Sequence, residues 1–132
     1  MDKVLIVCDN PEFLGILKEG LQKYEGQFEV LTASGGDEAI ELLNRERVSV
    51  LVTDLMMPIV DGPELFTHMT YKHPATPCIV MTDHGSPEIK KRAREDAFRY
   101  FKKPFDCNDL ARAIIESLDC LDEGNYFRQR HW

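Results

Sequence analysis

Four residues whose side chains can act together on phosphate follow short apolar runs. Asp9 comes after Val4–Val7, Asp54 after Val48–Thr53, Thr82 after Cys78–Met81, and Lys103 after Phe98–Phe101. Two neighbouring carboxylates repel and raise each other's pKa unless a hard cation neutralises them. Mg2+ suits such a pair, because it takes a few oxygen ligands, keeps several waters and binds phosphate. Asp9 and Asp54, with a backbone carbonyl just past Asp54, make such a set. A carboxylate held there can attack an incoming phosphoryl group. Cation and ammonium then stabilise charge on the transferring oxygens, and a hydroxyl can donate to the acyl phosphate that results. Each residue alone has a plainer reading. An Asp at a strand end caps a turn, a Thr there follows its β preference, and an isolated Lys is solvated. The chemistry depends on all four standing on one rim.

The elements that would place them there are legible as pattern. The apolar runs Val4–Val7, Phe28–Leu31, Val48–Thr53, Cys78–Met81 and Phe98–Phe101 are strand-sized. The first, third and fourth are apolar on both faces, as in a parallel sheet covered by helices. Helical stripes lie between them: Leu14, Leu17, Leu21 and Tyr24; Ala39, Leu42 and Leu43; Leu65, Phe66 and Met69; Ile89, Ala93 and Ala97; Leu110, Ile114 and Leu118. Asn10-Pro11 and Ser86-Pro87 each give a cap followed by proline at the first helical position, and Asp106 can cap the last helix. Gly26, Gly35-Gly36 and Gly62 punctuate loops. Five βα units with right-handed crossovers follow, an α/β fold built on a parallel sheet. In such sheets ligands bind outside the carboxyl ends of the strands, which is where the four residues fall.

Composition narrows the function classes. The chain has 132 residues and a net charge of −7, which suits one domain and argues against direct nucleic-acid binding. No run approaches the roughly 18 apolar residues of a membrane span, and the first apolar run is too short for a signal peptide, so a cytoplasmic protein is expected. Cys8, Cys78, Cys107 and Cys120 have no CxxC spacing and read as reduced, partly buried thiols. There is no Gly-rich phosphate cradle in CDNPEF and no GxxxxGK[ST], which disfavours a flavin- or nucleotide-binding enzyme.

The chain resembles the response-regulator receiver family over about residues 2 to 119. KVLIVCDNPEF resembles the family's opening strand and acidic turn, and LVTDLMMPIVDGPEL its phosphoacceptor strand and following loop. PCIVMTDHGS resembles the fourth strand with its hydroxyl residue, DAFRYFKKPFD the fifth strand with its Lys-Pro signature, and ASGGDEAIELL the second helix. The resemblance implies a doubly wound, flavodoxin-like (βα)5 fold with strand order 2-1-3-4-5, an order that the chemotaxis regulator already exemplifies. It implies a receiver domain over residues 1–119, with 120–132 a C-terminal tail or the start of a linker. It further implies that Asp54 is phosphorylated with Mg2+ by a sensor histidine kinase or a histidine phosphotransfer protein. Asp9, Asp54 and the Met56 carbonyl would hold the metal. Thr82 and Lys103 would engage the phosphoryl oxygens, Thr82 and Tyr100 would form the switch, and the Lys103–Pro104 bond would be cis. Such a domain is a switch rather than an enzyme, with only self-catalysed transfer and slow dephosphorylation.

One departure stands out: the family's first acidic residue of the pair is Cys8 here. A thiol is a poor partner for Mg2+, so weaker metal affinity and a more Mg2+-demanding phosphorylation are expected, with packing outweighing any redox role for Cys8. The same substitution is the only sequence support for the alternative, a pseudo-receiver that binds a partner without phosphorylation; Asp9, Asp54, Thr82 and Lys103 argue against it. Lys90, Lys91, Arg92, Arg94, Arg99, Lys102 and Lys103 form a basic cluster. It reads as a solvated face or as a partner surface. In the family the fourth helix, fifth strand and fifth helix form an output or dimer face, and Asp106, Asp109 and Glu116 would complement the cluster in a symmetric dimer. His68, His73 and His84 read as ordinary surface histidines, with His84 at the rim of the site.

Overall fold

The computed structural model describes residues 1–54, 68–69, 72–73, 75–82, 91, 97 and 99–122. Met56, Leu65, Phe66, Asp83, His84, the Ser86-Pro87 cap, Ile89, Lys90, Arg92, Ala93, Arg94, Gly62 and the tail beyond 122 lie outside them.

Five strands form one parallel sheet: β1 (Lys3–Val7), β2 (Glu29–Ala33), β3 (Val50–Asp54), β4 (Cys78–Thr82) and β5 (Arg99–Lys102), in the order β2-β1-β3-β4-β5. This is the doubly wound, flavodoxin-like arrangement expected. Each strand is offset by one or two residues from its apolar run at one end or both, most at β2 and β3. β2 runs on through Thr32 to Ala33, because Thr32 and Ala33 pair with Ile6 and Val7. β3 starts at Val50 rather than Val48, because its pairing with β1 begins at Val4.

Alternation along the strands sorts side chains onto two faces. Val4, Ile6, Val50, Val52, Ile79 and Met81 pack on Leu17 and Leu21 of helix α1 (Pro11–Leu21) and on Leu110, Ile114 and Leu118 of the C-terminal helix (Cys107–Asp122). Leu5, Val7, Leu51, Cys78 and Val80 pack on Ala39 and Leu43 of α2 (Gly36–Arg45) and on Met69. β3 and β4 are therefore buried along their whole length, as strands covered on both faces must be.

The helices begin where their caps stand. Asn10 Oδ1 accepts from Glu12 N and Phe13 N at 3.0 and 3.2 Å, with Pro11 at the first helical position; a cap of this kind contributes about 1 kcal/mol. Asp106 Oδ1 accepts from Asn108 N at 2.7 Å at the start of the C-terminal helix. The α1 stripe ends at Leu21, and Tyr24 falls in a short 3-10 turn, Gln22–Tyr24. Gly20 permits α1 and the C-terminal helix to meet closely: a Cβ there would stand 2.7 Å from Cys107 Sγ.

Candidate functional site

Parallel register brings the rim together. Val7 of β1 is level with Thr53 of β3, so one step further along each chain sets Cys8 beside Asp54. Cys8 Sγ lies 3.8 Å from Asp54 Oδ2 and donates to it. Asp54 is level with Met81, the penultimate residue of β4, and Thr82 with Lys102. The chain leaving β5 is tied back to β4 by Lys103 N donating to Thr82 O at 2.9 Å. The Lys103–Pro104 peptide is cis, as the resemblance implied.

Alternation then divides the rim. Asp54 follows Val50 and Val52 onto the face of α1 and the C-terminal helix. There its Oδ2 accepts from the Lys103 ammonium. Thr82 follows Cys78 and Val80 onto the opposite face, which Tyr100 shares. Thr82 is fully buried and Tyr100 half-buried. Asp54 and Thr82 therefore end neighbouring strands with their side chains on opposite faces of the sheet.

The ligand atoms of Cys8, Asp9 and Asp54 all lie within 4.8 Å of one another, a spacing one cation can bridge. Asp9 is exposed and Asp54 buried. Two carboxylates with an open side fit Mg2+, which keeps several waters of its own. Cys8 does not extend that oxygen set. Burial pushes its thiol up from the ordinary value; a backbone hydrogen bond at Asn10 and the Lys103 charge pull the other way, while Asp54 and Asp9 push it further up. A protonated thiol donating to Asp54 is a poor ligand for a hard cation. Met56, whose carbonyl the resemblance assigns to the metal, lies outside the described residues.

One participant was not singled out from sequence. The Lys103 ammonium stands 4.4 Å from the centre of the Phe13 ring. Asn10, Phe13, Lys103 and Pro104 line a hollow of about 300 Å3 beside the Asp54 bond. Phe13 sits next to Leu14 of the α1 stripe, and nothing in its spacing points across the sheet to residue 103.

Elsewhere, Glu116 is bound by Arg99 at 2.5 Å and Asp109 by Arg112 within the same chain. Two of the acidic groups expected to complement a second copy thus have partners already. His68 and His73 are not ordinary surface histidines. Both are half-buried, their ring centres are 5.6 Å apart, and neither Nε2 has a hydrogen-bond partner among the described residues. Each ring lies against the other, a contact that local spacing does not announce. The four thiols are free, with Cys8 and Cys78 buried and Cys107 and Cys120 half-buried. Among the described residues no helix is long and apolar enough to cross a membrane.

Comparison with known proteins points one way. Residues 4–115 match the model of the response regulator receiver domain. The transcriptional regulatory protein GlrR of Escherichia coli (strain K12) is 35% identical over 117 residues, covering 88% of this chain and 26% of that protein. The transcriptional regulatory protein CpxR of Klebsiella pneumoniae is 35% identical over the whole chain and 52% of its own length. The chain thus spans about a quarter to a half of the length of these curated relatives. A CheY-like receiver domain protein from Methanospirillum hungatei JF-1 superposes with a TM-score of 0.85 at 26% identity, over 94% of this chain and 98% of that one. A receiver domain protein from Clostridium thermocellum gives 0.82 at 27% identity, over 92% and 98%. On the family match, the relatives and the shared fold together, the chain belongs to the response regulator receiver domain family, the receiver domains of two-component response regulators.

Proposed function

We propose that this receiver domain, residues 1–119, is a phosphorylatable switch in which Asp54 accepts a phosphoryl group, with Mg2+, from a sensor histidine kinase or a histidine phosphotransfer protein. The observation that carries the reading is the Lys103 ammonium on Asp54 Oδ2 at the buried end of β3, with Asp9 close by. In the transfer, a carboxylate oxygen of Asp54 attacks phosphorus. The P–N bond of a phosphohistidine breaks, its electron pair leaves with the imidazole, and an acyl phosphate forms on Asp54. Asp9, Asp54 and the Met56 carbonyl would hold Mg2+, which would neutralise charge on the phosphoryl oxygens. Lys103, already at the acceptor carboxylate, shifts onto those oxygens. Thr82, at the end of β4, donates its hydroxyl to them, and Tyr100 on the same face turns inward behind it. The domain consumes its own side chain in the reaction and is a cytoplasmic signalling element rather than an enzyme; its C-terminal helix carries through Cys120 to Asp122 before a tail or linker. It contacts neither nucleic acid nor membrane directly. Its output or dimer face includes β5 and the C-terminal helix.

Incubation with acetyl phosphate and Mg2+ tests the central claim. The protein should gain the mass of one phosphoryl group, lose it on base treatment, and gain none as Asp54→Asn. Absence of any gain in the parent chain would favour an interaction module that works without phosphorylation.

A further inference from the structure

The Lys103 side chain is 15% exposed and held from two directions. On one side is Asp54 Oδ2; on the other is the face of Phe13, 4.4 Å from Nζ. The electron-rich face of an aromatic ring attracts an ammonium, more strongly as water is excluded. The ring is itself fixed. Phe105 meets it edge-on, with centroids 6.0 Å apart and planes at 88°. Phe105 in turn rests against Phe101 of β5, 5.2 Å away. The Phe13 backbone is pinned by its N–H donating to Asn10 Oδ1.

The two contacts differ in how they fare during phosphoryl transfer. When Asp54 becomes an acyl phosphate, Lys103 exchanges a carboxylate partner for phosphoryl oxygens. The Phe13 ring does not change. A lysine stem is flexible, and confining its ammonium costs rotamer entropy. A fixed ring lowers that cost in both states.

We propose that Phe13 is a positioning residue: its ring holds the Lys103 ammonium at Asp54 before and after transfer. This rests on the reading of Asp54 as the acceptor, and adds the residue that aims the lysine. It distinguishes Phe13 from an apolar filler, since a leucine would fill similar space without a ring face.

The test uses Phe13→Leu and Phe13→Tyr in the whole chain, with urea unfolding to confirm that each folds. Ring current from Phe13 should move the Lys103 ε-methylene proton resonances upfield. Phe13→Leu should abolish that shift, and Phe13→Tyr should restore it. With acetyl phosphate and Mg2+, Phe13→Leu should slow phosphorylation by about three- to tenfold, and Phe13→Tyr should recover most of the rate. A Lys103 resonance that is the same in the parent chain and Phe13→Leu overturns the proposal. So does a phosphorylation rate in Phe13→Leu equal to that of the parent. If the parent takes up no phosphoryl group, the acceptor role of Asp54 fails, and the Lys103 resonances still decide whether the ring holds the ammonium.

Discussion

Cys8 sets the character of the acidic rim. Its S–H donates to the same Asp54 oxygen that receives Lys103, and burial keeps the thiol protonated at neutral pH. Position 8 therefore adds a weak donor where a carboxylate would add an acceptor and a negative charge. Mg2+ binding should gain from restoring that charge. Calorimetry is expected to find roughly tenfold tighter Mg2+ binding in Cys8→Asp than in the parent chain, with Cys8→Ser close to the parent. Equal affinities in parent and Cys8→Asp would remove Cys8 from any account of metal dependence. The departure at position 8 was legible in sequence because it breaks a paired-acid pattern. Its bond to Asp54 was not, because the two residues are adjacent only through the pairing of β1 with β3.

At the level of elements, β5 and the C-terminal helix form a surface with its own charge balance. Arg99 on β5 binds Glu116 on the helix at 2.5 Å, and Arg112 binds Asp109 one turn away. All four side chains are about half exposed or more, so solvent screening leaves these pairs little net stability. They can exchange partners at small cost. A second copy presenting the same surface would offer each Arg an equivalent carboxylate. If this face carries dimerisation, sedimentation velocity with beryllofluoride and Mg2+ bound should show a dimer, and Glu116→Lys should return it to monomer. A phosphate-mimic complex that sediments as a monomer at high concentration would rule the face out as a dimer surface. Sequence marked Arg99 and both acids here, but not Arg112. It could not pair them within the chain, because Arg99 and Glu116 are brought together only when the last helix packs back over the sheet.

Across the whole molecule, the half-buried histidine pair ties stability to pH. Burial lowers the pKa of His73 from its ordinary 6.5, and the neighbouring His68 lowers it further. Above pH 6.5 His73 is neutral both folded and unfolded. Below it the unfolded chain takes up a proton that the folded state resists, so stability falls as pH drops from 6.5 to the lowered folded value and levels off beneath it. Urea midpoints measured across that window should decline less steeply in His73→Asn than in the parent. Parallel slopes would show that His73 contributes nothing to the decline.

The sequence by itself determined the alternation of strands and helices, the caps at Asn10 and Asp106, and the appearance of Asp9, Asp54, Thr82 and Lys103 at strand ends. Those features follow from residue type and a period of two or 3.6, which neighbours along the chain impose. Tertiary structure alone decided which groups touch: Cys8 against Asp54, the Phe13 ring beneath the Lys103 ammonium, Arg99 on Glu116 and the His68–His73 pair. Most of those pairs are far apart in sequence, and contacts of a few ångströms between them arise only from sheet register and helix packing. Asp54 could be picked out by its place in the chain. What surrounds its carboxylate, a lysine backed by an aromatic ring and a thiol in place of an acid, was set by the fold.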